Sequence, residues 1–489
     1  MVSHGPYAAY ATGKAAVDAQ PKTGISAIVV GAGIAGLTCA IELALNGHGP
    51  ITCYESVSKF SRIGDTIGIM PNAGKIVGRW PNFFDTLDPL CGHSRGISIY
   101  RWDGKHIVDQ KPPPLVPKEL ETEEERLRRE AEEKATRESP AFDAHRGDLH
   151  QTLLDYAISV GVDVRQGVSV GAYEETDHGA SVIIDGVPHT ADVVIAADGV
   201  KSKAREIVLG YVDQPKASGY AIFRAFFDGD RIRANPKCAH LVADGIDQRN
   251  VFVGPDLHFI AAGVKGTKEF SWVLTHLDSA DVTESWVAPG KLEDALKTVE
   301  GWNEVVREVI ACTPPEGLLD WKLVFRDPLP TWVSQKGRIC LLGDAAHPHL
   351  PTSIQGASQG MEDATAIANT LRLAGKADIP TALRVYQDLR YDRTVATQQL
   401  GVQVRNTWHK PQDWDNLDPE SMKLPHSPEL FGHDATAHTI AHYAEAAIRV
   451  RAKFGVDTQV GKNVELEGRN AALTNALSAS APLSLPISA

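Results

Sequence analysis

The sequence predicts an α/β protein with a Rossmann-like first lobe, a second, mixed-sheet lobe and a set of C-terminal helices. Three observations lead there. Residues 28–36, I-V-V-G-A-G-I-A-G, run from a buried apolar strand through G-x-G-x-x-G into a helix. A second apolar strand, residues 51–54, ends at an acid, Glu55. From 211 to 280, segments with strand-like alternation follow one another, as a second sheet requires.

The first unit has the order that a dinucleotide pyrophosphate needs. Gly31 permits the tight turn, Gly33 lets the backbone approach the phosphates, and Gly36 lets the helix pack on its strand with its positive end toward the ligand. Glu55, roughly 20 residues beyond the loop, stands where the ribose hydroxyls of such a ligand lie. Turn residues and apolar positions alternate over 62–73, and short strands follow near 97–102. Three prolines at 112–114 open an insertion whose body, 118–138, carries acids and bases at helical spacing and reads as a solvated helix. Residues 145–157 form an amphipathic helix with Arg146 at its start. Strands are expected at 162–168, 180–184 and 193–196, the last ending in A-D-G. The second sheet is expected at 221–227, 238–242, 251–253, 258–263 and 270–275. The chain then returns to the first lobe through a strand at 337–342 that ends in G-D, followed by a helix from about 360 and long helices at 381–404 and 433–454.

These elements divide the chain into a flexible arm at 1–24, a first lobe at 25–210, a substrate-binding sheet lobe at 211–330, a return to the first lobe at 331–405, and a helical cap and tail at 406–489. With 489 residues, it exceeds the roughly 250 to 300 at which single cores stop growing. A net charge of −13 argues against a nucleic-acid partner, which demands a clustered basic face. Six scattered cysteines without a C-x-x-C pair read as reduced core thiols of a cytoplasmic protein. No apolar stretch approaches the length of a membrane span, and the first 24 residues lack the features of a signal or transit peptide. His347 and His349 read as hydrogen-bonded loop histidines, and no metal is expected. A second G-x-G-x-x-G is absent from the sequence, so one dinucleotide lobe is expected.

Three motifs, in order, resemble the FAD-dependent aromatic monooxygenases of single-component type, the salicylate hydroxylase and para-hydroxybenzoate hydroxylase group. The first is the glycine loop with Glu55. The second is A-A-D-G-V-K-S-K-A-R at 196–205, with Asp198, Gly199, Ser202 and Arg205 at the group's positions. The third is G-D-A-A-H-P at 343–348. The resemblance spans about 25–405 and implies FAD as cofactor, NADPH or NADH as co-substrate, and O2. It places Arg146, in R-G-D-L, on the FAD phosphates, Asp198 where phosphates and nicotinamide are recognised, and Gly343 and Asp344 at the ribityl chain. Pro351, Gln355, Gly356 and Ala357 fit the loop against the isoalloxazine. Departures are Ile354 in place of glycine, Ser358 in place of asparagine, and Asp65 and Thr66 where the group has alanine and glycine.

The implied reaction is hydroxylation of a phenolic or other electron-rich aromatic substrate by a flavin C4a-hydroperoxide. Epoxidation or Baeyer–Villiger oxygenation of a specialised metabolite is the alternative, and a flavin oxidase or dehydrogenase a further one. A fixed cation or base beside the ring would favour an ionised substrate. Arg224, in A-I-F-R-A-F-F, is the first candidate, on the strand face opposite Phe223 and Ala225. Asp65 pairs with it or accepts a proton near the flavin; Tyr220, His258 and His276 are further candidates. The expected assembly is a monomer or homodimer, with the C-terminal helix as cap or dimer face.

Overall fold

A computed structural model describes residues 11–60, 65–111, 122–278, 288–410 and 413–454, apart from 124, 125, 128, 131–133, 135–137 and 215. Expectations for 62–64, for most of the charged run at 118–138 and for the tail after 469 lie outside the described residues.

Among the described residues, the first lobe is built on a five-stranded parallel sheet. Its order is Ile339–Leu341, Val193–Ala196, Ala27–Val30, Ile51–Glu55 and Asp163–Gln166. The Ala27–Val30 and Val193–Ala196 strands are buried along their whole length, as continuous apolar runs in a doubly covered parallel sheet should be. The helices Ile34–Leu45 and Gly356–Ala374 pack against each other, and both bury their apolar residues in the core of this lobe.

The second lobe is an eight-stranded mixed sheet centred on Lys216–Asp228, Glu269–Leu277 and Leu257–Val264. One face, with Phe223, Ala225 and Phe227, packs on helices Leu292–Thr298 and Glu304–Ala311. The other face carries Tyr220, Ile222, Arg224 and Phe226, as a period of two dictates. Ala180–Ile184 and Phe142–His145 belong to two smaller sheets.

Three local expectations are corrected. Residues 238–242 are not a strand: Ala239–Val242 is a 3₁₀ turn, and Cys238 and Val242, four residues apart, enter the same core as a helical turn would place them. The strand near 97–102, read with the first lobe, is Ile97–Arg101 at the far edge of the second sheet, parallel to Arg249–Gly254, and His106–Gln110, which the sequence reading did not name, pairs with it. The leader, expected as a flexible arm, contains helix Ala11–Ala19, which lies against Ile34–Leu45 and Arg146–Ser159. The two long helices near the C-terminus extend over Ile379–His409 and Ala435–Phe454, and Tyr443, Ala446 and Val450 of the latter pack on Val385.

Candidate active site

The glycine loop is shaped by backbone contacts that side chains would break. Gly31 has φ +98°, and a Cβ there would lie 2.3 Å from the Ala197 carbonyl oxygen. A Cβ on Gly36 would lie 1.9 Å from the Gly31 oxygen, so the helix is drawn tight against the loop. Gly33 caps the helix in extended conformation with no side-chain cap, and nothing lies within 4 Å of where its Cβ would project. Close backbone below and open space above are what a pyrophosphate requires. Glu55 closes the loop from the next strand: its Oε2 accepts from the Ala32 N–H at 2.9 Å and its Oε1 from the Val57 N–H at 2.8 Å.

The two later motifs converge on this loop. Gly343, at φ +58°, would place a Cβ 3.0 Å from Ala35, and Gly360 would meet the same methyl at 2.9 Å. Arg205 is buried and ties the motifs together, donating to Ala345 O and Asp344 O, both at 2.8 Å, and to Val200 O at 2.6 Å. Burial, with Arg326 beside it, lowers this guanidinium to about 10. Asp198 turns inward: its Oδ2 accepts from the Tyr173 hydroxyl at 2.9 Å and the Lys203 N–H at 3.0 Å. The A-D-G aspartate thus fixes the turn after Val193–Ala196. Burial raises the Asp344 carboxyl, while Arg146, His347 and Arg205 pull the other way.

Arg146 begins helix Arg146–Ser159, and its N–H donates to the Asp65 carbonyl at 2.9 Å. Its Nε lies 4.0 Å from Asp65 Oδ1. The same carboxylate oxygen accepts from Arg224 at 3.2 Å, so Asp65 stands between two guanidinium groups. Arg224 is 3% exposed, and its guanidinium lies 5.1 Å from the centroid of Trp321. Burial lowers the Arg224 guanidinium, Asp65 raises it, and Arg146 lowers it further. Strand Thr66–Ile69, just after Asp65, lies against the third-motif loop: a Cβ on Gly68 would sit 3.6 Å from the Ile354 side chain.

That loop runs from the turn Pro351–Ser353 through Ile354, at φ +54°, into helix Gly356–Ala374. Gln355 is fully buried; its Oε1 accepts from Asn72 at 3.1 Å and from Gln359 at 2.9 Å, and its Nε2 has no hydrogen-bond partner among the described residues. Gly356 and Ala357 open the helix, where first-turn N–H groups have no intrahelical acceptor. Glycine cradle, basic residues and a buried donor in the third-motif loop fit an FAD molecule laid across the three motifs.

The other catalytic candidates do not join Arg224. His258 Nδ1 lies 2.7 Å from His409 Nε2 and its Nε2 is 3.1 Å from Thr275 Oγ1. Burial, and then His409, push His258 well below the ordinary histidine range, while His409 falls to about 4. Tyr220 neighbours the same cluster, with its ring 5.1 Å from that of His409 and its hydroxyl 3.4 Å from Asp256. The register puts His258 two strands and two residues from Arg224, roughly 12 Å away. His276 lies on the opposite face, stacked on Phe223 at 4.5 Å. His347 bonds Asp363 at 2.5 Å and His349 bonds Thr397 at 2.9 Å.

Sequence reasoning missed the buried ionic group behind the loop. Glu362 and Asp363 are fully buried and face Arg390, with Arg393 2.8 Å from Glu362. Two adjacent acids in a helix that is buried along most of its length are the signal, and the burial is not visible in the sequence. The six cysteines are buried and free. Among the described residues no helix is long and apolar enough to cross a membrane.

Comparison with known proteins accords with this geometry. The sequence model of an FAD binding domain family matches residues 111–399, and that of a second FAD binding domain matches 26–62. The chain is 30% identical over 445 residues to asperlicin C monooxygenase of Petromyces alliaceus, covering 88% of this chain and 91% of the relative. It is 35% identical over 433 residues to the FAD-dependent monooxygenase nanF of Aspergillus nanangensis, covering 86% and 89%. The structure of CtdE in complex with FAD and a substrate superposes with a TM-score of 0.78 at 31% identity, covering 87% of this chain and 99% of CtdE. A salicylate hydroxylase substrate complex, at 22% identity and a TM-score of 0.68, shares the fold. Three converging motifs, the family match and relatives aligned over nearly their whole length lead to one conclusion: the chain belongs to the FAD-dependent monooxygenases.

Proposed function

We propose that this enzyme uses NADPH or NADH and O2 to insert one oxygen atom into an electron-rich aromatic ring of a small specialised metabolite. The observation that carries the reading is the Arg224–Asp65 pair, in which Arg224 is buried on the sheet face and Asp65, half-buried, meets it from the segment beside Arg146. Bound FAD supplies the oxygen-activating chemistry. The chain's own residues do the rest. The 31–36 loop and Glu55 hold pyrophosphate and ribose, Arg146 neutralises phosphate charge, and Asp344 takes the ribityl hydroxyls. The N–H groups of Gly356 and Ala357 and the free Nε2 of Gln355 stabilise negative charge on the ring, with Pro351 shaping the approach. Trp321, Ile222 and Phe226 wall the substrate side and exclude water.

Arg224 and Asp65 orient the substrate and hold a proton at the guanidinium–carboxylate junction. With Arg146 engaged by phosphate, Asp65 is left to compensate the nearer Arg224, and the pair favours a neutral ring over a phenolate. That supports oxygenation of a specialised metabolite over simple phenol hydroxylation, and a relative named asperlicin C monooxygenase is in keeping with it. Six buried thiols support a cytoplasmic location. The test is a metabolite screen for accelerated NADPH oxidation by the holoenzyme under isotopically labelled O2. One labelled oxygen in the product is expected. Hydrogen peroxide release with unlabelled product would instead establish an oxidase.

A further inference from the structure

On the face of the second sheet turned away from Arg224 lies a cavity of about 300 Å³, far from the cofactor motifs. This size is at the lower end for small-molecule sites and accommodates a fused bicycle. One wall is aromatic: Tyr100 and Phe252, paired across neighbouring strands, stack on each other with centroids 5.0 Å apart and 20° between planes. Beside them, Asn250 is 6% exposed and lines the cavity, and its carboxamide has no hydrogen-bond partner among the described residues. The amide faces the cavity, where water reaches it, so a ligand that offers both a donor and an acceptor replaces that water bond for bond. Gln248, also lining the cavity, is fixed by donation from its Nε2 to Ser98 at 2.9 Å. Leu241 and the 38% exposed Ile246 form an apolar rim.

We infer that this cavity is a second small-molecule site, selective for a planar aromatic lactam or amide. The ring packs against the outer side of the Tyr100–Phe252 pair, and its adjacent N–H and C=O groups pair with the Asn250 carboxamide as acceptor and donor. A primary carboxamide presents both roles side by side, which matches a lactam edge and leaves a plain hydrocarbon unrewarded. The sheet separates this site from Arg224, so its ligand binds alongside the oxygenation substrate.

The experiment is calorimetric titration of the FAD-loaded enzyme with isocarbostyril, a planar bicyclic lactam. One saturable site is expected, with affinity reduced at least tenfold by Asn250→Leu and by N-methylation of the probe. Arg224→Met should leave the affinity unchanged, and Asn250→Leu should leave basal NADPH oxidation unchanged. Should Asn250→Leu fail to retain flavin, Ile246→Trp at the exposed rim provides the same comparison by closing the mouth. Equal affinity in wild type and rim variant, loss on Arg224→Met, or no binding up to the solubility limit of the probe would each overturn the assignment.

Discussion

At Arg224 the strand's alternation turns a guanidinium onto an otherwise apolar face, where Asp65, 159 residues earlier in the chain, meets it. Removing one member of such a buried pair leaves the other charge poorly compensated and costs ~3–5 kcal/mol, whereas replacing both by apolar groups costs far less. Arg224→Met and Asp65→Leu should therefore each lower the urea midpoint, and the double variant should recover most of the loss while product formation stays down at least 100-fold. A double variant with restored turnover would remove the pair from the chemistry. Ile354 is a different residue-scale case. Its φ of +54° lies in the left-handed region, which disfavours a β-branched side chain by about 1–2 kcal/mol. Ile354→Gly should raise the urea midpoint by an amount equivalent to ~0.5–1 kcal/mol, since glycine's extra unfolded-state entropy offsets part of the relief. An unchanged or lower midpoint would show that Ile354 packing outweighs its strain. The sequence displayed both residues as departures or candidates, because strand alternation and motif position are local. Of the two roles it offered for Asp65, the structure shows the pairing with Arg224; it could not display Arg146 on the other side of the same carboxylate, because nothing local links a helix start to a strand in another lobe.

Helices Gly356–Ala374 and Ile379–His409 are held together behind the third-motif loop by charge rather than by apolar packing alone. Burial raises both acids, but Arg390, Arg393 and His433 around Glu362, and His347 and Arg390 around Asp363, overcome it. Each carboxyl is held at about 2, against ordinary values of 4.5 and 3.8. A depressed carboxyl contributes stability that is fully present above its ordinary pKa and lost as pH falls toward the folded value. Stability should thus decline from about pH 4.5 to pH 2, visible as a falling urea midpoint. Arg390→Met should destabilise the protein by ~3–5 kcal/mol at neutral pH and flatten that acid limb. An acid limb identical to wild type would show that other groups dominate it. The helices themselves were legible from their apolar spacing and only their ends moved. Residues 238–242 misled because two apolar residues four apart suit a single helical turn as well as a short strand. Glu362 and Asp363 went unread, since no periodicity reports that an arginine 27 residues away crosses to meet Asp363.

In the whole molecule, one sheet is assembled from sequence on both sides of the first lobe. Ile97–Arg101 and His106–Gln110 precede most of the parallel sheet in the chain yet finish the edge of the second. Edge pairing of this kind is non-local, so sequence order assigned the first of those strands to the wrong sheet, and did not name the second, while fixing the two-lobe plan correctly. The cofactor motifs face the same problem of distance, and Arg205 solves it. Its fork gathers carbonyl oxygens from residues 200, 344 and 345, so the second and third motifs hold one relative position. No other group reproduces that planar set of donors; lysine offers a single compact ammonium. Arg205→Met and Arg205→Lys should both fold, by far-ultraviolet circular dichroism, yet purify with less flavin and bind added FAD at least tenfold more weakly. Because a ligand stabilises by mass action, saturating FAD should also raise the thermal midpoint of the wild type more than that of either variant. Full flavin occupancy in Arg205→Met would mean that the glycine loop alone suffices to hold the dinucleotide, and that Arg205 serves only the packing of the two loops.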